Sequence, residues 1–213
     1  MRELTPRERQ EFARLPLDEE AFRAAIGVPA LFGESEYSVL ERRGARPTLD
    51  VNGLWGGFQG EGSKTIIPAH AHAKLSTRLV PDMDPERTFE RLRDAVLAAA
   101  PAGVDVSVTL ISHGMWGITP IDHWATRAAA AALEDVFGRA PVYLREGGSI
   151  PVTSSFKTIL GLETVLLGFT NPDDQAHAPN EQMVLANYEG GVRTVVRYWD
   201  ALSRADRRSG DSG

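Results

Sequence analysis

The sequence predicts an α/β protein in two parts, an α+β two-layer domain followed by a segment of alternating helices and strands. Apolar and polar residues alternate strictly over residues 69–79, which is typical of a strand with two different faces. Residues 85–99 carry apolar side chains three and four positions apart, which indicates an amphipathic helix. From residue 141 onward, the order strand, Gly-Gly turn, helix, strand, loop and helix favours an α/β arrangement.

The composition is that of an ordinary globular chain of 213 residues, with 42% hydrophobic and 24% charged residues. A net charge of −6 without a dense basic run argues against nucleic acid as a partner. The absence of cysteine excludes disulfides and thiolate metal sites, and together with a charged, non-signal-like start it predicts a cytoplasmic protein. No apolar run approaches the roughly 20 residues of a membrane span, so no membrane partner is expected.

The first part is expected to begin with a helical lead-in over residues 1–46. Thr5, which precedes a proline, and Asp18 are capping residues that start two short helices. Residues 35–43 are expected to form a third helix. Residues 48–57 are predicted as a strand that enters a glycine-rich turn.

The alternation over residues 69–79 separates two faces of the second strand. Ala, Leu and Thr occupy the odd positions, whereas the even positions hold two histidines, a lysine, a serine and Arg78. One face is therefore expected to pack on a core and the other to line water or a cleft. A helix capped by Asp84 and a strand over residues 104–111 complete the predicted two-layer domain, which is expected to end near Gly117.

The second part holds the predicted α/β elements. A helix is expected to start at Thr119 and to stop at Gly138, and residues 164–169 form an apolar strand before a polar loop. The last helix has a predicted core-facing stripe, and the glycines at 190–191 permit close contact with a neighbour. The stripe consists of Leu185, Tyr188, Val192, Val195, Trp199 and Leu202. Residues 206–213 are expected to be a disordered tail.

Five stretches carry a family resemblance: GLWGG at 53–57, GSKTIIP at 62–68, KLSTRLVP at 74–81, REGGSIPVTSSF at 145–156 and GFTNPDDQAHAPNE at 168–181. The last two stretches, by spacing alone, could be two ordinary turns around a strand. Together, the five resemble the zinc-dependent metallopeptidases that include carnosinase-type dipeptidases, aminoacylases and succinyl-diaminopimelate desuccinylase. The resemblance implies an α+β lid (dimerisation) domain followed by the carboxyl-terminal portion of an α/β zinc-peptidase catalytic domain.

The resemblance also implies the domain assignment. Residues 1–46 would be a helical lead-in that is part of the lid, residues 47–117 the lid itself, and residues 118–205 the carboxyl-terminal part of the catalytic domain. Family members are longer, and most of their metal ligands lie in the first half, in a His-x-Asp motif, a bridging aspartate and a Glu-Glu pair that holds the general base. None of these occurs here in a matching context. The chain is therefore expected to be the second half of the enzyme, inactive by itself.

His177 is the candidate metal ligand. A neutral imidazole in a loop is a good zinc ligand, although a lone histidine in a polar loop is usually only a loop residue. The resemblance implies that His177 binds one of two zinc ions in the complete enzyme. Glu181 is expected either to support that histidine as a hydrogen-bond acceptor or to be a charge in the first turn of the next helix. His70 and His72 share a strand face, and a metal-chelating role and a cleft-lining role both stay open for them.

The candidate substrate-binding residues lie on the second strand and in the Gly-Gly-Ser turn. A guanidinium group binds a carboxylate through two parallel hydrogen bonds, so Arg78 suits a substrate with a free terminal carboxylate. A solvated strand arginine is the alternative interpretation. The resemblance implies the carboxylate role for Arg78, a hydroxyl contact for Thr65, and backbone and hydroxyl donors from Gly148 and Ser149.

Two functions are compatible with these residues. In the first, the chain is the lid and carboxyl-terminal catalytic segment of a di-zinc peptidase that hydrolyses dipeptides or N-acyl amino acids with a metal-activated water. It would form a homodimer through the lid. In the second, the chain is a non-catalytic dimerisation or regulatory module, or a decayed remnant, derived from the same family.

Overall fold

The computed structural model describes residues 1–147 and 150–210, and the chain divides into two compact units. The predicted substrate contacts Gly148 and Ser149 and the tail residues 211–213 lie outside the described residues. The first break between the units follows Gly117, where the sequence predicts a domain boundary. Unit 1 comprises Met1–Gly117 and Leu144–Ser154, and unit 2 comprises Ile118–Tyr143 and Ser155–Gly213.

Three short helices open unit 1: α1 (Pro6–Ala13), α2 (Glu19–Ala25) and α3 (Val39–Ala45). Both α1 and α3 start with a capping box. In each, a hydroxyl side chain accepts from the backbone N–H three residues later, and the glutamate at that later position accepts from the backbone N–H of the hydroxyl residue. The predicted starts of the first two helices are confirmed. The third helix starts later than predicted, because its capping box begins at Ser38.

The core of unit 1 is small and is built around the first and third helices. Leu4, Phe12 and Ala45 are buried together, with Tyr37 and Leu40 packed against them. Helices this short are not stable alone, so this cluster and the ion pairs around it hold them in place.

Strands β1 (Thr48–Gly56) and β2 (Ala71–Arg78) form an antiparallel pair, which confirms both predicted strands. The register pairs the first residue of β1 with Arg78, and an irregularity between Val51 and Gly53 interrupts it. The expectation of one core-facing side is wrong, because every residue of β2 is exposed. Residues 104–111, expected to widen the sheet, form no strand. A two-stranded pair without a covering layer has no face to bury.

Helix α4 (Pro85–Ala98) follows the strand pair and starts at the predicted cap, since the Asp84 side chain accepts from a first-turn backbone N–H. Its predicted apolar side is only half-buried, at Phe89, Leu92 and Val96. Trp116 anchors the end of this region, because its indole N–H donates to the Met83 carbonyl at 3.0 Å.

Unit 2 contains α5 (Trp124–Phe137) and α7 (Leu185–Gly210), and α6 (Pro151–Leu160) spans the third break between the units, which follows Ser154. Helix α5 starts at Trp124, five residues after the predicted start at Thr119, whereas its predicted stop at Gly138, which has a left-handed backbone, is confirmed. Residues 164–169 form no strand, because an extended segment needs a hydrogen-bonded neighbour to become one. The last helix continues through Gly210, beyond the expected start of the tail.

The buried side of α7 is not the predicted stripe. Gly190, Gly191 and Thr194 are buried, whereas Trp199 of the stripe is 66% exposed and Leu185 is 77% exposed. The two glycines do permit close contact, as predicted: a Cβ at Gly190 would lie 2.6 Å from the Phe137 ring on α5. Aromatic rings therefore pack on the small-residue side of α7, and the large apolar side chains point elsewhere.

Within residues 1–147 and 150–210, no helix is both long enough and apolar enough to cross a membrane.

Candidate functional site

Arg78 contacts the segment that precedes the Gly-Gly-Ser turn. Its Nη1 donates a hydrogen bond of 3.0 Å to the backbone carbonyl of Gly147, across 69 positions of sequence. Both residues belong to unit 1. The structure therefore brings the predicted carboxylate-binding arginine next to Gly147, the residue that precedes the predicted substrate contacts in the sequence.

Arg145 lies two residues before Gly147, and its contacts were not predicted from the sequence. Its side chain is 8% exposed and makes a two-pronged ion pair with Glu8, at 2.7 Å from Nε to Oε1 and 2.9 Å from Nη2 to Oε2. The same guanidinium donates to the backbone carbonyls of Arg2 and Glu3 at 3.2 and 3.1 Å. An arginine at the start of a glycine-rich motif is only a weak sequence signal for an ion pair. Its partner Glu8, 137 positions away, gives no sequence signal at all.

The backbone around Arg145 and Gly147 is packed tightly against helix α3. A Cβ on Gly44 would lie 2.0 Å from the Arg145 carbonyl oxygen, and a Cβ on Gly147 would lie 2.4 Å from the Arg43 carbonyl oxygen. Backbone atoms cannot yield to such contacts as a flexible side chain can, so both positions require glycine. Residues 145–147 are thus held by main-chain packing as well as by the ion pair.

Glu8 is the charged partner of Arg145 and also the third residue of α1. Burial alone would raise the pKa of this carboxyl, but hydrogen bonds from Arg145 and from the Thr5 backbone and hydroxyl outweigh it, so the pKa of Glu8 lies below its ordinary value. The carboxylate form is therefore favoured in the folded chain, which preserves the ion pair at neutral pH.

The remaining candidates in unit 1 lie on exposed surface. Thr65 lies in the irregular connection between β1 and β2 and is exposed. The His72 ring stacks on Trp55 with centroids 5.0 Å apart, and the His70 ring is tilted against His72 at 6.4 Å. Among the described residues, no group of three or more His, Asp or Glu side chains is placed to hold a metal ion.

In unit 2, His177 lies exposed in the polar loop before α7 and has a left-handed backbone with φ of 65°. Gln175 and Asn180 in the same loop are also left-handed, at 53° and 64°. Non-glycine residues rarely adopt this conformation, and they cluster where a loop must present a side chain in a fixed direction. The loop conformation therefore fits a role in presenting the imidazole.

The buried residue Asp174 holds this loop through hydrogen bonds, a role that was not predicted from the sequence. Its side chain is 2% exposed and its Oδ2 accepts from the Asn171 backbone N–H at 2.7 Å. Its own carbonyl accepts from the Gln182 N–H at 2.9 Å, which closes the loop around His177. No donor among the described residues reaches its buried Oδ1. The Asn187 side chain joins the loop to α7 through the Asn171 side chain at 3.1 Å.

Glu181 is exposed and lies four residues before α7, which begins at Leu185 without an acidic residue in its first turn. The interpretation of Glu181 as a first-turn charge is therefore wrong. Its role in supporting His177 stays a prediction.

Comparison with known protein families identifies the family to which the chain belongs. The sequence profile of peptidase family M20/M25/M40 matches residues 14–201, which is most of the chain. The chain belongs to this peptidase family. The resemblance to carnosinase-type dipeptidases is thereby confirmed.

Several relatives of the chain are named as dipeptidases, and some of them as metallodipeptidases. The chain is 34% identical over 205 residues to the Cys-Gly metallodipeptidase dug1 of Schizosaccharomyces pombe, covering 94% of this chain and 43% of that protein. It is 30% identical to human Beta-Ala-His dipeptidase, covering 92% of this chain and 39% of that one. The solved structure of the di-peptidase Dug1p from Saccharomyces cerevisiae matches with a TM-score of 0.80 at 31% identity, over 95% of this chain and 43% of that chain.

These matches confirm the fold class as that of part of an M20 peptidase, with helices and a small antiparallel sheet. The chain spans less than half the length of the relatives that it matches. The assignment of the two units to a lid and to part of a catalytic domain stays a prediction.

Proposed function

We propose that this chain supplies the lid and the carboxyl-terminal catalytic segment of a di-zinc dipeptidase of the M20 family. The supporting observation is the family match over residues 14–201, with metallodipeptidases that act on Cys-Gly and Beta-Ala-His among the relatives. Dipeptides are the proposed substrates, with N-acyl amino acids as a wider class. A cytoplasmic location is part of the same proposal.

Arg78 is proposed to bind the terminal carboxylate of the substrate. Its guanidinium is exposed at the end of β2 and lies against the Gly147 carbonyl, which directly precedes Gly148 and Ser149 in the sequence. An arginine beside a carbonyl acceptor is held in one orientation, which favours two-pronged recognition of a carboxylate. Thr65 is proposed to add a hydroxyl contact.

His177 is proposed to bind one zinc ion, with Glu181 as its support. The exposed imidazole in a closed loop suits zinc, which prefers nitrogen and carboxylate donors when no cysteine is present. Catalytic zinc takes three protein ligands, so under this proposal the ligands besides His177 come from outside the described residues. The bound metal would activate the attacking water. The contribution of this chain is to fix the direction of His177 through the Asp174 bonds.

The second candidate is a non-catalytic dimerisation module, with which the uncovered strand pair is also compatible. Val51 and Leu54 on β1 are 64% and 78% exposed, although apolar side chains in a sheet are normally covered. A second copy of the chain would cover this surface. Dimerisation is expected under both proposals, so only catalysis separates them.

Zinc-dependent hydrolysis of Cys-Gly and Beta-Ala-His tests the proposal, with the 213-residue chain and the product of its complete open reading frame assayed side by side. We expect no turnover by the 213-residue chain, because one candidate ligand cannot hold a catalytic ion. Turnover is expected from the complete product if that product carries His-x-Asp and Glu-Glu motifs. Motifs without turnover would favour the dimerisation module.

A further inference from the structure

The Glu8–Arg145 ion pair connects the first helix of the chain to the segment that carries Gly147. Arg145 is 8% exposed, and its guanidinium donates to both carboxylate oxygens of Glu8 and to two backbone carbonyls before α1. A guanidinium with this many partners within one short segment has little freedom to turn. The position of Arg145 is therefore set by α1 together with the residues just before it.

From Arg145 the constraint passes along two peptide units to Gly147. The close approach of Gly44 to the Arg145 carbonyl oxygen, and of Gly147 to the Arg43 carbonyl oxygen, keeps this segment against α3. The Gly147 carbonyl then accepts from Arg78 at 3.0 Å. Each link is a direct contact within unit 1.

We propose that the Glu8–Arg145 ion pair is a positioning element for substrate recognition, which fixes residues 145–147 so that the Gly147 carbonyl holds the Arg78 guanidinium in its carboxylate-binding orientation. The inference rests on the proposed function of Arg78. It assigns a role in substrate selection to a glutamate on a helix that carries no substrate-binding candidate.

A purely structural ion pair would have a different signature. It would hold α1 in place, and its loss would lower stability without any specific effect on Arg78. The chain offers a matched control in Glu41, which occupies the same third position of a capping box on α3 and pairs with Arg9 at 3.0 Å. Glutamine is accepted at this position of a capping box, so Glu8→Gln and Glu41→Gln both remove a charge and keep the helix start.

The first experiment observes the Arg78 guanidinium by NMR in the 213-residue chain. Restricted rotation gives two resolved Nη nitrogen signals, which are assigned with Arg78→Lys. We expect two signals in the unchanged chain and in Glu41→Gln, and a single averaged signal in Glu8→Gln. Arg145→Lys keeps the positive charge but cannot make the bidentate contact with Glu8, so it should also give the averaged signal. It replaces Glu8→Gln in this test if that variant does not fold.

Two results would overturn the inference. One is an Arg78 signal that stays resolved in a folded Glu8→Gln or Arg145→Lys chain, because the ion pair would then not control Arg78. The other is averaging in Glu41→Gln as well, since any loss of a helix-cap charge would then have the same effect.

The second experiment separates this inference from the proposed function. Dissociation constants for Ala-Ala and for its carboxamide are measured with the same variants. We expect the unchanged chain and Glu41→Gln to prefer the free carboxylate by about tenfold or more, and Glu8→Gln to retain less than about a third of that preference.

The two experiments fail in different ways. Equal binding of acid and amide by the unchanged chain would refute the carboxylate role of Arg78, and with it the selection role of the ion pair, even where Arg78 rotation still depends on Glu8. A clear preference for the acid that Glu8→Gln leaves intact would refute the positioning role alone.

Discussion

Replacement of Arg78 by alanine should damage substrate recognition much more than folding. The side chain is exposed and donates to the Gly147 backbone carbonyl, a bond whose loss should cost about 0.5–1.5 kcal/mol of stability. Domains commonly have about 5–15 kcal/mol, so the variant should remain folded. A charge-assisted contact with a substrate carboxylate is worth about 1.5–3 kcal/mol, which corresponds to a loss in kcat/KM of roughly tenfold to a hundredfold.

The assay compares kcat/KM for a dipeptide and for its amide in the zinc-loaded product of the complete reading frame. The loss should affect the free carboxylate and largely vanish for the amide, and Arg78→Lys should recover only part of it, because a point charge does not reproduce the fork. Arg93→Ala on α4 is the control, since it removes the same charge from an exposed arginine that pairs with its neighbour Asp94. Equal losses on both substrates would show that Arg78 supports the fold instead of binding the carboxylate.

Three further predictions concern the loop, the ion pair and the strand pair. Asp174→Ala should lower the free energy of unfolding by about 1–3 kcal/mol, because it removes the buried acceptor of the Asn171 N–H. The control Asp173→Ala, at an exposed position, should change it by less than about 0.5 kcal/mol. Equal values for the two variants in urea titrations would contradict this. Because the pKa of Glu8 is lowered in the folded state, its contribution is present above its unfolded pKa of about 4.3 and is lost as the pH falls through the lower folded pKa. Glu8→Gln should therefore flatten the acid limb of stability against pH, and an unchanged limb would count against the Arg145 pairing. The chain should self-associate through its exposed strand pair, and Val51→Lys should weaken this association. Sedimentation that shows only a 23.2 kDa species for both the unchanged chain and the variant would exclude this.

Local chemistry explains which parts of the fold could be predicted from the sequence. The helix starts after Thr5, Asp18 and Asp84 and the stop at Gly138 depend on capping bonds within a few residues, and all four are confirmed. The two strands were also predicted from their own residues.

The incorrect predictions share a dependence on distant partners. Alternation over residues 69–79 shows that a strand has two faces, but not whether a second layer covers either of them. The stripe on α7 was predicted from the helical spacing of its apolar residues, whereas the buried side is selected by the Phe137 and Phe169 rings, which require the glycines opposite. The segments 104–111 and 164–169 have strand-like composition, but a strand exists only where a neighbour completes its hydrogen bonds.

The candidate site shows the same division. Motifs identified Arg78 and His177 as candidates, and the contact of Arg78 with Gly147 joins two of the motif stretches. Arg145 and buried Asp174 lie within motif stretches but were not singled out as candidates, and Glu8, the partner of Arg145, lies in none of these stretches. Their importance follows from burial and from partners that are distant in sequence, which only the folded chain reveals.

The most direct test of the central claim is the zinc content and Cys-Gly turnover of the complete reading-frame product, with and without His177→Ala. If this chain supplies a zinc ligand to an M20 dipeptidase, the variant should lose one of two bound zinc ions and more than about a hundredfold in turnover, since even residues outside the ligand set cost about 10–100-fold. His113→Ala, which removes a histidine outside the 171–184 loop, gives the comparison for zinc content. Unchanged zinc and unchanged turnover in His177→Ala would contradict the account.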